Sequence, residues 1–195
     1  KGFAETPMME GIVSEARSLG AEVISFHSGA EPFVSPDLEH FIEYAKSLSY
    51  SYIYVTTNGS LATPERLSKA FDAGLDSIKF SVNAGTQEVY EQIHGRNHFE
   101  RVLSHIRFAT RYREEKGLAV YIGVSFVETR ENAHTFDSLK ALLEDDVDEI
   151  VHYPVANQSG QMPGISELSI MDGAPCSLPF KRLHVSREGY VRLCC

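Results

Sequence analysis

Helical and strand-like apolar patterns alternate from the start of the chain to about residue 153, with short connections between them. No other feature constrains the fold as strongly. Met8, Met9, Ile12, Val13 and Ala16 recur at helical spacing up to Gly20, and residues 21–26 then form a short apolar run that reads as a buried strand. Ser35-Pro36 has the form of an N-cap followed by a proline at the first helical position, ahead of Leu38, Phe41, Ile42, Ala45 and Leu48 on one face. Thr63-Pro64 repeats the device before Leu67, Ala70 and Phe71. Further strands are expected over 52–56, 76–82, 118–127 and 149–153, and further helices over 99–116 and 133–145. Such alternation implies parallel strands joined by right-handed crossovers. The strands suit an open doubly wound sheet or part of a barrel. In either case ligands bind just beyond the carboxyl ends of the strands.

Composition narrows the functional classes. There is no apolar run of about 18 residues, the length a membrane-spanning helix needs. The formal net charge of −9 argues against broad nucleic-acid binding, which depends on Lys and Arg displacing counterions. Three cysteines, two of them adjacent near the end, do not make a disulfide framework, and a reducing cytoplasm is the expected compartment.

The strand ends carry polar motifs. After the first strand, Gly29-Ala30-Glu31-Pro32 combines a glycine able to take positive φ with a stiffening proline and an anion. Its carbonyls suit an ammonium group, although an ordinary polar loop has the same composition. Thr57-Asn58-Gly59 after the second strand is by itself a turn signal. Ser81 and Asn83 at the end of the third suit a ribose or a carboxylate, or an N-cap for a following helix. Ser125 lies within the fourth strand. Beyond it, Arg130 suits a carboxylate and Asn132 suits a helix cap.

The order and spacing of these motifs, and above all the stretch TTNGSLATPERLSKAFDAGLDSIKFSVNAGTQEVYEQIHG, resemble the radical S-adenosylmethionine (SAM) family over residues 1–155. The resemblance implies an α/β fold: a partial (β/α)6 barrel of parallel strands, followed here by a C-terminal β-hairpin. It implies that Gly29, Ala30, Glu31 and Pro32 hold the methionine amino group of SAM. The usual family form is Gly-Gly-Glu-Pro, so Ala30 departs from it. Asn58 belongs to the same rim, Ser81, Asn83 and Ser125 meet ribose or carboxylate, and strand backbone over 150–154 meets adenine. It also implies a 4Fe-4S cluster and an electron donor such as flavodoxin or ferredoxin. The family's Cys-x3-Cys-x2-Cys motif is absent from this sequence. Because Lys1-Gly2-Phe3 resembles the segment immediately downstream of that motif, the chain is expected to be N-terminally incomplete and inactive on its own.

Cys176, a glycine at 189 and Cys194 resemble in spacing the opening of a SPASM module, an auxiliary iron–sulfur domain of such enzymes. Leu183, Val185 and Val191 supply apolar strand positions around a Glu188-Gly189 turn, a hairpin that brings distant thiolates together. Cys176 and Cys194 are the expected ligands and Cys195 is not, since an adjacent side chain points to the opposite face. Buried structural thiols are the alternative. The expected division is a barrel over 1–155 lacking its first strand and its Cys-x3-Cys-x2-Cys loop, a connector over 156–175 and the start of the module over 176–195, so the chain is expected to be C-terminally incomplete as well. The histidines lack zinc spacing, and His152, Tyr153 and the segment 155–160 are candidates for shaping a substrate site, with peptides among the substrates considered. Two rival readings stand beside this one. The first is a cluster-free (β/α) barrel enzyme, for which no convincing Lys, metal or acid–base set is found; the second is a non-catalytic binding module.

Overall fold

The structure, a computed structural model, describes residues 4–27, 29–155 and 177–192. Five parallel strands follow one another across a single sheet in chain order. They are β1 (Val23–Ser25), β2 (Tyr52–Thr57), β3 (Ser77–Ser81), β4 (Tyr121–Glu128) and β5 (Glu149–Pro154). The helices are α1 (Thr6–Ser18), α2 (Leu38–Ser47), α3 (Pro64–Asp72), α4 (Gln87–His94), α5 (Phe99–Lys116) and α6 (Phe136–Leu143). A two-stranded antiparallel hairpin, β6 (His184–Val185) with β7 (Val191–Arg192), lies near the end.

Strand alternation sorts the side chains onto two unlike faces. Ile53, Val55, Ile78, Phe80, Ile122, Val124 and Phe126 are buried on one face. They form one core with Leu38, Ile42 and Ala45 of α2, Leu67, Ala70 and Phe71 of α3, Val102, Leu103 and Ile106 of α5, and Leu139 and Leu143 of α6. The other face carries Tyr52, Tyr54, Thr56, Ser77, Lys79, Tyr121 and Glu149, which line an open basin. A doubly wound sheet is covered by helices on both faces. Here the helical layer covers one face and the strands run in sequential order, so the architecture is of the barrel type, with the polar face as the inner wall.

Register is fixed at the amino ends of two strands by the same device. The backbone N–H of Asp76, just before β3, donates to the Ile53 carbonyl at 2.9 Å, and its carboxylate accepts from the Ile53 N–H at 2.8 Å. Asp148, just before β5, does the same with Ile122, at 2.9 and 2.7 Å. A one-residue slip would turn the apolar face toward the lumen, and each aspartate pairs both backbone groups of its partner against that slip.

Several local expectations are corrected. Helix α4 is absent from the periodicity reading; it buries only Val89 and Tyr90, too few apolar positions to mark a face, and is capped by Thr86. Ser35-Pro36 does not start α2. Its N-cap is Asp37, and Ser35 Oγ accepts from the Asp37 N–H in a turn. β1 is shorter than residues 21–26, and β4 begins at Tyr121 rather than 118. The hairpin turn is where expected, with Gly189 at φ +84°, although Leu183 precedes the strand and is exposed. Lys1-Gly2-Phe3, the connector over 156–175, and Cys176, Cys194 and Cys195 lie outside the described residues, and so does the 156–160 part of the segment considered for substrate.

Candidate functional site at the strand ends

The carboxyl ends of β1 and β2 are tied together through Glu31. Thr57 Oγ1 donates to its Oε1 at 2.5 Å, the Asn58 N–H to its Oε2 at 2.7 Å and the Phe33 N–H to Oε1 at 3.2 Å. An ionised carboxylate accepts about four hydrogen bonds, so Glu31 is both a pin for its own loop and an acceptor with capacity left. Gly29 takes φ +65° with open space around it, the left-handed geometry glycine tolerates best. Pro32 is buried at the head of the short 3-10 turn Pro32–Val34.

Arg66, on α3, clamps this loop from outside. Its guanidinium donates to the Phe33 carbonyl at 3.0 Å and the Ser35 carbonyl at 2.7 Å, lies over the Phe33 ring, and forms a bidentate pair with Glu39. His27 closes the gap left where β1 ends: its Nδ1 accepts the Thr56 N–H at 3.1 Å, which fixes the proton on Nε2. Burial, then the nearby positive groups of His184 and Arg182, hold the His27 pKa below the usual histidine value. Neither Arg66 nor His27 stands out in sequence, because both act on the backbone of residues some thirty positions away.

Asn58 makes a tight turn, its Oδ1 accepting the Ser60 N–H at 2.9 Å. Gly59 follows at φ +76°, where a Cβ would come within 2.9 Å of the Phe80 and Val102 side chains, so the turn is pressed against the core. Its carbonyl accepts from Nδ1 of the buried His105 at 2.8 Å.

On the next pair of strands, Ser81 and Ser125 are direct neighbours in register, and their hydroxyls lie 3.3 Å apart. Asn83 takes φ +57°, and its Oδ1 accepts the Val127 N–H at 2.9 Å. Asn132 completes this corner. It is fully buried, accepts from the Thr129 N–H at 2.6 Å, and donates through Nδ2 to the carbonyls of Asn83 and Val127. Its side chain caps no helix. Nor does Ser81 or Asn83 cap α4, a role that falls to Thr86.

Behind the third strand end, His94 donates to the Val82 carbonyl at 2.9 Å and stacks on Tyr90. Burial lowers the His94 pKa despite that bond, and burial followed by the Glu31 charge raises that of Tyr90. His152 faces the helical layer, stacked on Phe136 and paired with Glu128 at 2.6 Å, rather than the inner wall.

Glu31, Asn58, Ser81, Asn83 and Ser125 thus all lie at or beside the carboxyl ends of four neighbouring strands, and their backbone and hydroxyl groups suit a polar ligand with both amino and oxygen functions. Among the described residues no cluster of three His, Cys, Asp or Glu side chains could hold a metal ion. None of their helices is long and apolar enough to cross a membrane.

A family comparison matches residues 5–139 to the Radical SAM superfamily. An uncharacterized protein of Methanocaldococcus jannaschii is 30% identical over 103 residues, and a probable GTP 3',8-cyclase of Saccharolobus solfataricus is 31% identical over 121. These matches take in 52% and 62% of this chain and 36% and 37% of the relatives, so the chain spans about a third of their length. SuiB of Streptococcus suis, solved bound to S-adenosylmethionine, superposes with a TM-score of 0.61 at 15% identity, covering 78% of this chain and 34% of that one. BtrN, solved with AdoMet and 2-DOIA, gives 0.59 at 16%, covering 100% and 61%. A 2,3-dimethylmalate lyase of the PEP mutase/isocitrate lyase superfamily gives 0.52 at 12%, covering 73% and 52%. At these identities the likeness is one of fold.

Proposed function

The chain belongs to the radical SAM superfamily, and from that premise we propose that its strand-end rim binds SAM for an enzyme that generates a 5′-deoxyadenosyl radical and abstracts hydrogen from a substrate. The observation that carries the reading is the Glu31 junction. One carboxylate organises the β1 loop and the β2 terminus together, beside a hydroxyl pair and a left-handed asparagine on the neighbouring strand ends. Carbonyls of Gly29, Ala30 and Glu31 accept from the methionine ammonium, the carboxylate of Glu31 balances its charge, and Pro32 stiffens the turn. Asn58, Ser81, Asn83 and Ser125 take the ribose and the carboxylate.

When bound, a 4Fe-4S cluster fed by a flavodoxin or ferredoxin supplies the electron that divides SAM into methionine and the radical. The described residues offer no ligand set for that cluster, and the sequence has no Cys-x3-Cys-x2-Cys motif. These 195 residues are therefore proposed not to cleave SAM unaided. What the chain's own residues do is bind, orient and shield SAM, while the cofactor carries the hard chemistry. Cys176 and Cys194 are proposed as ligands of an auxiliary cluster in the opening of a SPASM module, with the barrel over 1–155, a connector over 156–175 and the module from 176. A peptide is among the proposed substrates, and a cytoplasmic setting suits both clusters.

Calorimetric titration of the full-length protein with SAM, followed by anaerobic reconstitution and a 5′-deoxyadenosine assay, tests the main reading. Glu31→Gln should weaken SAM binding about tenfold, the value of a charge-assisted hydrogen bond, with the fold retained. Absence of SAM binding in the wild type would overturn the reading. For the auxiliary cluster, the double change Cys176→Ala, Cys194→Ala should lower iron and sulfide by one cluster's worth. Unchanged iron content would make both thiols structural.

A further inference from the structure

The inner wall of the sheet carries a charged group that the SAM rim does not use. Lys79 lies at the centre of β3, between Ile78 and Phe80, which face the helices, so its own side chain is lumenal. Across the sheet Lys79 is in register with Gly123, and Gly123 with Glu149. The glycine leaves the passage clear. A Cβ there would stand 3.3 Å from Lys79 Cε, so any larger residue would crowd the lysine.

Two distances describe the surroundings of the ammonium. Lys79 Nζ lies 3.6 Å from Glu149 Oε2 and 6.0 Å from the centre of the Tyr153 ring. Tyr153 is four residues beyond Glu149, roughly 13 Å along the strand. Tyr52, Ser77, Tyr121 and Glu149, which line the space around the ammonium, are the first residues of their strands, so that space lies toward the amino ends of the sheet, below Ser81 and Ser125, which follow two residues after Lys79 and Gly123. Glu149 stands beyond hydrogen-bond distance, and Lys79 Nζ makes no hydrogen bond among the described residues. Around it the basin, of about 240 Å³, is lined by the side chains of Tyr52, Tyr54, Tyr121, Thr56 and Ser77. All five are hydroxyl-bearing, and Glu149 is the one acceptor-only side chain lining it.

We propose that this basin is an anion subsite for the substrate, in which Lys79 takes a carboxylate or phosphate group and the neighbouring hydroxyls take its remaining oxygens. The inference rests on reading the rim as the SAM site, because it places the substrate's anionic end below the ribose-facing serines. Glu149 then has a distinct part. It holds the ammonium in the lumen when the subsite is empty and competes, as a like charge, with an arriving anion. A simple structural ion pair gives a different signature, since losing either partner would do similar harm.

The test is calorimetric titration of the full-length protein, SAM present, with inorganic phosphate and separately with acetate. It is repeated for Lys79→Gln and Glu149→Gln, and SAM affinity is measured in each. The expected result is that Lys79→Gln weakens binding of the preferred anion about tenfold. Glu149→Gln strengthens it several-fold, and the SAM constant stays within about twofold. Preference for phosphate or acetate identifies the chemistry of the source. The proposal is overturned if neither anion binds, if Lys79→Gln binds as the wild type does, or if Glu149→Gln weakens binding too. Failure of the wild type to bind SAM would remove the rim reading instead, and the same anion titrations without SAM would still judge the lumenal site.

Discussion

Asn132 donates to the carbonyl of Asn83 across 2.9 Å, although forty-nine residues separate them, and holds that residue in a left-handed conformation at the mouth of the sheet. The Asn83 side chain in turn secures Val127, whose carbonyl Asn132 also holds. The corner is closed on itself, so disturbing one member disturbs the loop after β3 and the end of β4 together.

Asn132→Ala should therefore destabilise the fold by about 2–4 kcal/mol, since it leaves buried backbone groups without partners. Chemical denaturation would show a lower midpoint with an unchanged slope. Binding of SAM should weaken as well, because Asn83 loses its support.

Arg66→Lys keeps the charge and loses the fork. Lysine cannot reach the Phe33 and Ser35 carbonyls and both Glu39 oxygens at once. A loss of about 1–3 kcal/mol in stability is expected, together with several-fold weaker SAM binding, because the clamp sets the loop that carries Glu31. Equal affinity for SAM in the two proteins would detach the clamp from the site.

Acidification should loosen the β1–β2 junction. The folded-state pKa of His27 lies below its ordinary value of 6.5, so between those two pH values the unfolded chain binds the proton more readily. The stabilisation is full above about pH 6.5 and is lost as pH falls through that window, where protonated Nδ1 can no longer accept from Thr56. His94, depressed in the same direction, adds the same slope. Urea midpoints should fall between about pH 7.5 and 5.5, and His27→Gln should flatten part of that fall.

At Gly85 a single methyl group is prohibitive. A Cβ there would lie 2.0 Å from the Thr135 carbonyl oxygen and 2.7 Å from the Leu139 nitrogen, both backbone atoms that cannot rotate away. Gly85→Ala should cost roughly 3 kcal/mol or more, or prevent folding, and thermal unfolding of the purified variant would register it.

How much of this could be read from residue order depends on the range of each interaction. The core-facing periods of α2, α3 and α5 are local, and they predict the layers correctly. The rim motifs are also local and each follows its strand, so their placement at one end of the sheet follows from parallel topology. Asn132 is different. It reads as a helix cap because its partners, Asn83 and Val127, become neighbours only when β3 and β4 pair. Helix α4 escaped for want of apolar residues. Lys79 did leave a signal, a lone charge flanked by Ile78 and Phe80 in a strand, which alternation assigns to the face opposite the core.

The paired aspartates Asp76 and Asp148 act at the opposite end of the strands from Glu31, Ser81 and Asn83. Register at the amino ends is thereby set by side chains other than those proposed to meet the ligand. Libraries randomised at Asn58, Ser81 or Ser125 should yield mostly folded variants with altered binding, whereas libraries at Asp76 or Asp148 should yield few folded variants at all. A protein divided in this way can change its chemistry over generations without re-solving how it folds.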